Sequence, residues 1–174
     1  MKFSNTNRFV AACFIAYWPA ASFSHIGLEN KSATAGTVYK AVIQVGHGCS
    51  GAATTAISVQ IPPGFQAAKP YPKAGWAISS DANKLVTWTA MSKEAALQDV
   101  HFDEFVLRGQ LPDTAGPMWF KVLQTCNDGV KGSSNNWAEV PATGVSTKGL
   151  KQPAALLEVI APGAPVAAPA EHNH

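Results

Sequence analysis

Thr54-Thr55-Ala56-Ile57-Ser58-Val59-Gln60-Ile61 alternates apolar and small or polar side chains: Ile57, Val59 and Ile61 fall on one side, Ala56, Ser58 and Gln60 on the other. A period of two sends successive side chains to opposite faces of an extended chain, so the segment reads as a half-buried β-strand. Pro62-Pro63-Gly64 ends it, because proline has no N–H to give to a ladder. Residues 37–45 are similar, rich in β-branched and aromatic types. Trp76-Ala77-Ile78-Ser79 and residues 84–89 flank Asp81-Ala82-Asn83, which reads as a hairpin turn. Residues 100–107, 118–125 and 154–160 bring the set to at least seven strands, punctuated by Pro70, Pro72, Pro112 and Pro117. The only helical candidate, Ser92 to Leu97, is too short to stand alone. The expected fold is all-β, a sandwich of immunoglobulin type.

The two ends of the chain have a different character. Residues 1–24 read as a secretory signal peptide. Lys2 and Arg8 supply a basic start, Phe9-Val10-Ala11-Ala12-Cys13-Phe14-Ile15-Ala16 an apolar centre, and Ser22 and Ser24 the small residues of a cleavage site. Residues 25–160 then form one domain, large enough for a proper core. Residues 161–174 are a Pro/Ala-rich tail ending in Glu171-His172-Asn173-His174, a composition that favours disorder. Of the thirteen basic residues Lys2 and Arg8 leave with the leader, so eleven face the eleven acidic ones. That balance argues against a nucleic-acid partner, which needs a clustered basic face. No stretch after the leader is long enough for a membrane span. A soluble protein outside the cytoplasm is expected.

Cleavage after Ser24 makes His25 the first residue of the mature chain. A terminal histidine chelates one metal ion through its amine and its imidazole together, and Cu(II) suits such nitrogen donors best. If cleavage falls a residue away, His25 is an ordinary surface side chain. Glu29 could add a carboxylate to the same metal, or be an exposed acid on a first strand. Cys13 leaves with the leader, and the remaining pair, Cys49 and Cys126, favours a disulfide in an oxidising compartment. The alternative, a thiolate site, lacks a CxxC or CxxxC spacing. His47, in Gly46-His47-Gly48-Cys49, follows a strand and either approaches the chemistry or packs beside the disulfide. His101 reads as a surface residue of a strand, beside Asp103 and Glu104. Trp76, Trp88 and Trp119 are expected in the core. Trp137 follows Ser133-Ser134-Asn135-Asn136 and reads as an exposed ring at a loop end, able to cover a site. His172 and His174 form a short tract that more often belongs to a solvated tail. No nucleophile elbow, P-loop, HExxH or paired catalytic acids are present, so ordinary hydrolase chemistry has no support.

Several of these segments together resemble the YcnI-like bacterial copper-binding domain. They are His25-Ile26 after the leader, Ala35-Gly36 before a strand, Gly75-Trp76 after a proline-rich turn, Asp103-Glu104-Phe105, and Gln124-Thr125-Cys126-Asn127-Asp128-Gly129 leading to Trp137. The resemblance covers roughly residues 25–160, and Ile43-Gln44-Val45-Gly46-His47-Gly48-Cys49 is similar to the version in Gram-negative members. It implies an immunoglobulin-like sandwich that binds Cu(II) through a mono-histidine brace. The brace is then His25, the nearby tryptophan is Trp137, and the completing carboxylate is Glu29, with Glu104 in reserve. Many relatives carry a membrane anchor after the domain, where this chain has its histidine-ended tail.

The function expected is a non-enzymatic periplasmic Cu(II)-binding protein for copper acquisition, homeostasis or hand-over, with a periplasmic chaperone or importer as partner. The rival is a copper-dependent oxidative enzyme of the polysaccharide monooxygenase type. It needs a second histidine, from His47 or His101, and a broad aromatic face for its substrate. A ligand-binding sandwich without metal is the third reading.

Overall fold

The computed structural model describes residues 25–164, and every regular element among them is a strand. The leader assigned to residues 1–24, and His172 and His174, lie outside the described residues. In chain order the strands are β1 (Gly27–Leu28), β2 (Ser32–Thr34), β3 (Val38–Val45), β4 (Ala53–Gln60), β5 (Gln66–Pro70) and β6 (Trp76–Ser80). They continue with β7 (Leu85–Ala90), β8 (Asp103–Gln110), β9 (Gly116–Asn127), β10 (Gly132–Trp137) and β11 (Ala155–Ile160). One sheet runs β1-β3-β8-β5 and the other β2-β11-β9-β4-β7-β6, with β10 added beside β9.

The inward faces follow the alternation of the sequence. Ile57 and Val59 of β4 are fully buried, with Val86 and Trp88 of β7 and Phe120 and Val122 of β9 on the same side. They face Ala41, Ile43 and Val45 of β3 and Phe105 and Leu107 of β8. Phe105 sits between two indoles, its centroid 5.0 Å from Trp76 and 5.8 Å from Trp88, both edge to face. Each such side chain contributes about 1.5–3 kcal/mol by leaving water. The register of β4 shifts between Thr54 and Ala56. A bulge adds one residue to one strand and changes its phase, so Thr54 is buried as completely as Ile57.

Four expectations are corrected. Residues 92–97 form turns, because Thr54 and Leu97 exchange both backbone hydrogen bonds and draw Leu97 into an extended path. The strand expected from residue 100 begins at Asp103, leaving His101 in the preceding connection and Val100 and Phe102 exposed. Residues 133–136, read as a loop, belong to β10, which pairs with β9 from Gly132↔Asn127 to Trp137↔Val122. Trp119 is only half-buried, since it alternates with the inward Met118 and Phe120.

The strands also fix two opposite ends of the sandwich. Gly27 pairs with Gln44 and Leu28 with Ile43, so the chain before β1 runs toward the Val45 end of β3. At the Val38 end the Ala35 N–H donates to the Ile160 carbonyl and the Leu111 N–H to the Thr37 carbonyl. The two ends are about 25 Å apart along an eight-residue strand.

Candidate metal centre

His25 is exposed, but the residues after it are pinned. Ile26 and Leu28 are buried, at 4% and 2% exposure, and anchor β1 against β3. His25 lies two residues before β1 and His47 two residues after β3, so both stand at the Val45 end of the sheet. The rings of both histidines meet one indole. The Trp137 centroid is 5.7 Å from that of His25, at 80°, and 6.4 Å from that of His47, at 65°.

Trp137 is buried at the end of β10 rather than exposed on a loop, because its neighbours satisfy its polar edge. Its Nε1–H donates to Gln124 Oε1 at 3.0 Å. Gln124, with no exposure at all, donates from Nε2 to the His47 carbonyl at 2.7 Å and to Thr54 Oγ1 at 2.8 Å. One side chain thus ties the indole to the backbone of the histidine loop. That loop is fixed further along as well. The Gly48 N–H donates to Asp99 Oδ1 at 2.9 Å, and Cys49 is bridged to Cys126 with the Cα atoms 5.8 Å apart. The disulfide expected from the sequence is present, which leaves these two cysteines no thiolate to offer a metal. His47 Nδ1 lies 2.6 Å from the Gly48 carbonyl oxygen. A carbonyl only accepts, so Nδ1 carries the proton and Nε2 the lone pair.

The acidic candidates lie just after β1 and in β8. Glu29 follows His25 by four residues, about 13 Å along an extended chain. Its N–H donates to the Val42 carbonyl and its carboxylate lies near Tyr39. Burial first, and the Glu29 charge second, push the Tyr39 hydroxyl well above the ordinary phenol range. Glu104 pairs across from Gln44, whose Nε2 donates to it at 3.4 Å. That position is two strands from β1, about 10 Å across the sheet. His101 stands exposed in the connection before β8. Among the described residues no three His, Cys, Asp or Glu side chains cluster to hold a metal. A brace needs fewer, since the main-chain amine of a terminal histidine is itself a donor. The two side chains that meet the Trp137 indole are both imidazoles, and nitrogen donors of that kind fit Cu(II). Gln124 and Asp99, which fix the site, were not singled out by sequence reasoning. A polar residue at an inward position of an apolar strand was the available signal for Gln124.

A family described as a domain of unknown function, DUF1775, matches residues 25–86 and 79–159. The chain belongs to this family. YcnI-like proteins make up DUF1775, so the resemblance read from the sequence is the family found, and the match opens at His25. Among solved structures the chain is similar to a protein from Nocardia farcinica reported to have an immunoglobulin-like fold. The two are 28% identical with a TM-score of 0.65, over 78% of this chain and 97% of that one. A type I cohesin, the seventh of ScaB from Pseudobacteroides cellulosolvens, is 10% identical with a TM-score of 0.45, over 86% and 97% of the two chains. A comparison with curated proteins found no match. Family and fold neighbour agree with the two-sheet architecture: the domain is an immunoglobulin-like β-sandwich.

Proposed function

We propose that the protein carries Cu(II) in the periplasm, holding it at the amine and imidazole of His25 once a signal peptide has been removed after Ser24. The observation that carries this reading is the convergence of His25 on Trp137, whose rings are 5.7 Å apart although 112 positions separate them in the chain. Ile26 and Leu28 fix the first strand, so the chelating residue sits on a rigid edge while remaining open to solvent. The buried indole covers one side of it. An exposed ion with few protein donors exchanges readily, which suits acquisition, homeostasis or hand-over to a periplasmic chaperone or importer. Neither Glu29 nor Glu104 is required, and water can fill the remaining positions.

The rival reading is an oxidative enzyme acting on polysaccharide, and it draws on His47 beside the same indole. Carriage is favoured because, among the described residues, the exposed aromatic side chains, Tyr71 and Phe102, lie on connections rather than across a flat sheet face. Substrate oxidation also needs a docking surface, not only a metal.

The test begins with the intact mass of the exported protein, which should correspond to a chain starting at His25. Adding one residue before His25 keeps the imidazole but moves the amine out of the chelate ring. This extension should weaken Cu(II) binding about as much as His25→Ala does. Unchanged affinity in the extended form would place copper elsewhere and overturn the proposal. Copper-dependent cleavage of chitin or cellulose with a reductant, abolished by His47→Ala, would move the assignment to the enzyme.

A further inference from the structure

We infer that His47 Nε2 is a second imidazole donor to the copper held by His25, so that the ion has three protein nitrogens instead of two. The inference rests on the copper reading above and adds a ligand to it.

Three observations carry it. The first is the state of the ring. Nδ1 is committed to the Gly48 carbonyl at 2.6 Å, which leaves the lone pair on Nε2. Among the described residues Nε2 makes no hydrogen bond, although the side chain is half-buried. Ligating histidines characteristically donate their other ring N–H to a carbonyl or carboxylate, which fixes the tautomer and the ring plane. The second is placement. The pairing of β1 with β3 puts His25, two residues before β1, and His47, two residues after β3, at the same end of adjacent strands. Both rings meet the same indole, at 5.7 and 6.4 Å. The third is rigidity. The backbone around His47 is held at its carbonyl by buried Gln124, at the next N–H by Asp99, and one residue later by the disulfide. A loop serving only as a strand connection has no need of three such restraints.

The alternative role for His47, packing beside the disulfide, accounts for its partial burial but not for the tautomer or the open Nε2. A second imidazole replaces a water on copper and slows loss of the ion without closing its remaining positions.

The experiment uses mature protein whose first residue is verified as His25, with His172→Ala and His174→Ala in the otherwise full chain, loaded with one equivalent of Cu(II). Pulsed electron paramagnetic resonance counts the imidazoles on copper through their remote nitrogens. Two are expected, falling to one in His47→Ala, with Cu(II) affinity weaker by about 10- to 100-fold. One imidazole in the parent protein overturns the inference whether or not the variant folds, as do two that persist in His47→Ala. A single imidazole that disappears in His25→Ala leaves the His25 reading standing while this inference fails. Imidazole coupling unchanged in His25→Ala overturns both.

Discussion

Gln124 is the polar residue on which the arrangement of the site depends. It joins Trp137, Thr54 and the His47 carbonyl through three hydrogen bonds and has no contact with water. Replacing it with leucine keeps about the same volume but orphans the buried indole N–H and takes a donor from the His47 carbonyl and from Thr54 Oγ1, which keeps only Cys126 Sγ at 3.8 Å. The expected cost is about 3 kcal/mol, read as a lower midpoint in urea with the slope unchanged. Gln60→Leu is the control, since Gln60 Nε2 reaches only exposed turn carbonyls at Asn83 and Lys84, and it should cost under about 1 kcal/mol. Gly48 is a second sensitive position, for a steric reason. A Cβ there would lie 1.8 Å from the Ala52 carbonyl oxygen, which is backbone and cannot swing aside. Gly48→Ala should destabilise by about 3 kcal/mol or more, a larger drop in thermal midpoint than for Gly51→Ala. Gly51 has open space around its Cβ position and resists substitution only through its positive φ of 88°.

Among the elements, β10 was the hardest to read and matters most to the site. Ser133-Ser134-Asn135-Asn136 has no apolar alternation because its pairing, not its side chains, makes it a strand: it adds to the free edge of β9. β4 was plain by contrast, with Ile57 and Val59 inward as their spacing demands. Its bulge was hidden, because an extra residue changes the phase without leaving a compositional mark. Glu29 is a case in which spacing alone does not decide proximity. Four residues separate neighbouring turns in a helix but span about 13 Å in a strand. The cysteine pair was legible because its chemistry is recognisable by type, whereas Trp137, read as exposed at a loop end, is buried. The carbonyl and amide partners that aim His47 were not legible, since the backbone supplies them. The turn entering β10 offers a further test. Asp128 Oδ1 accepts the Val130 and Lys131 N–H groups at 2.8 and 2.7 Å, first Lys131 and then Val130 holding its carboxyl below the ordinary range. A folded value below the unfolded one means the turn gains fully above the ordinary aspartate range and loses that gain as pH falls through the folded value. The amide shifts of Val130 and Lys131, followed by NMR, should therefore move with a midpoint below that of a free aspartate. A midpoint at or above it would show the carboxylate unbonded in solution.

At the scale of the whole molecule, the Cys49–Cys126 bridge joins residues 77 apart and fastens the histidine loop to β9. In the chain-entropy account a closure of this length stabilises by about 4–5 kcal/mol. Reduced protein, or the Cys49→Ser and Cys126→Ser pair, should unfold at correspondingly lower denaturant, and thiol labelling of denatured, unreduced mature protein should find no free cysteine. Two reactive thiols there would remove the bridge from the account. The two ends of the sandwich have a practical consequence as well. The chain leaves β11 at Ile160, beside Ala35, while His25 stands at the far end of β3, about 25 Å away. In the proposed brace, any leftover residue from an amino-terminal fusion lands on the chelating amine itself, whereas a handle at the carboxyl end leaves that amine unmodified. On that proposal the choice of handle decides whether an assay sees copper binding at all.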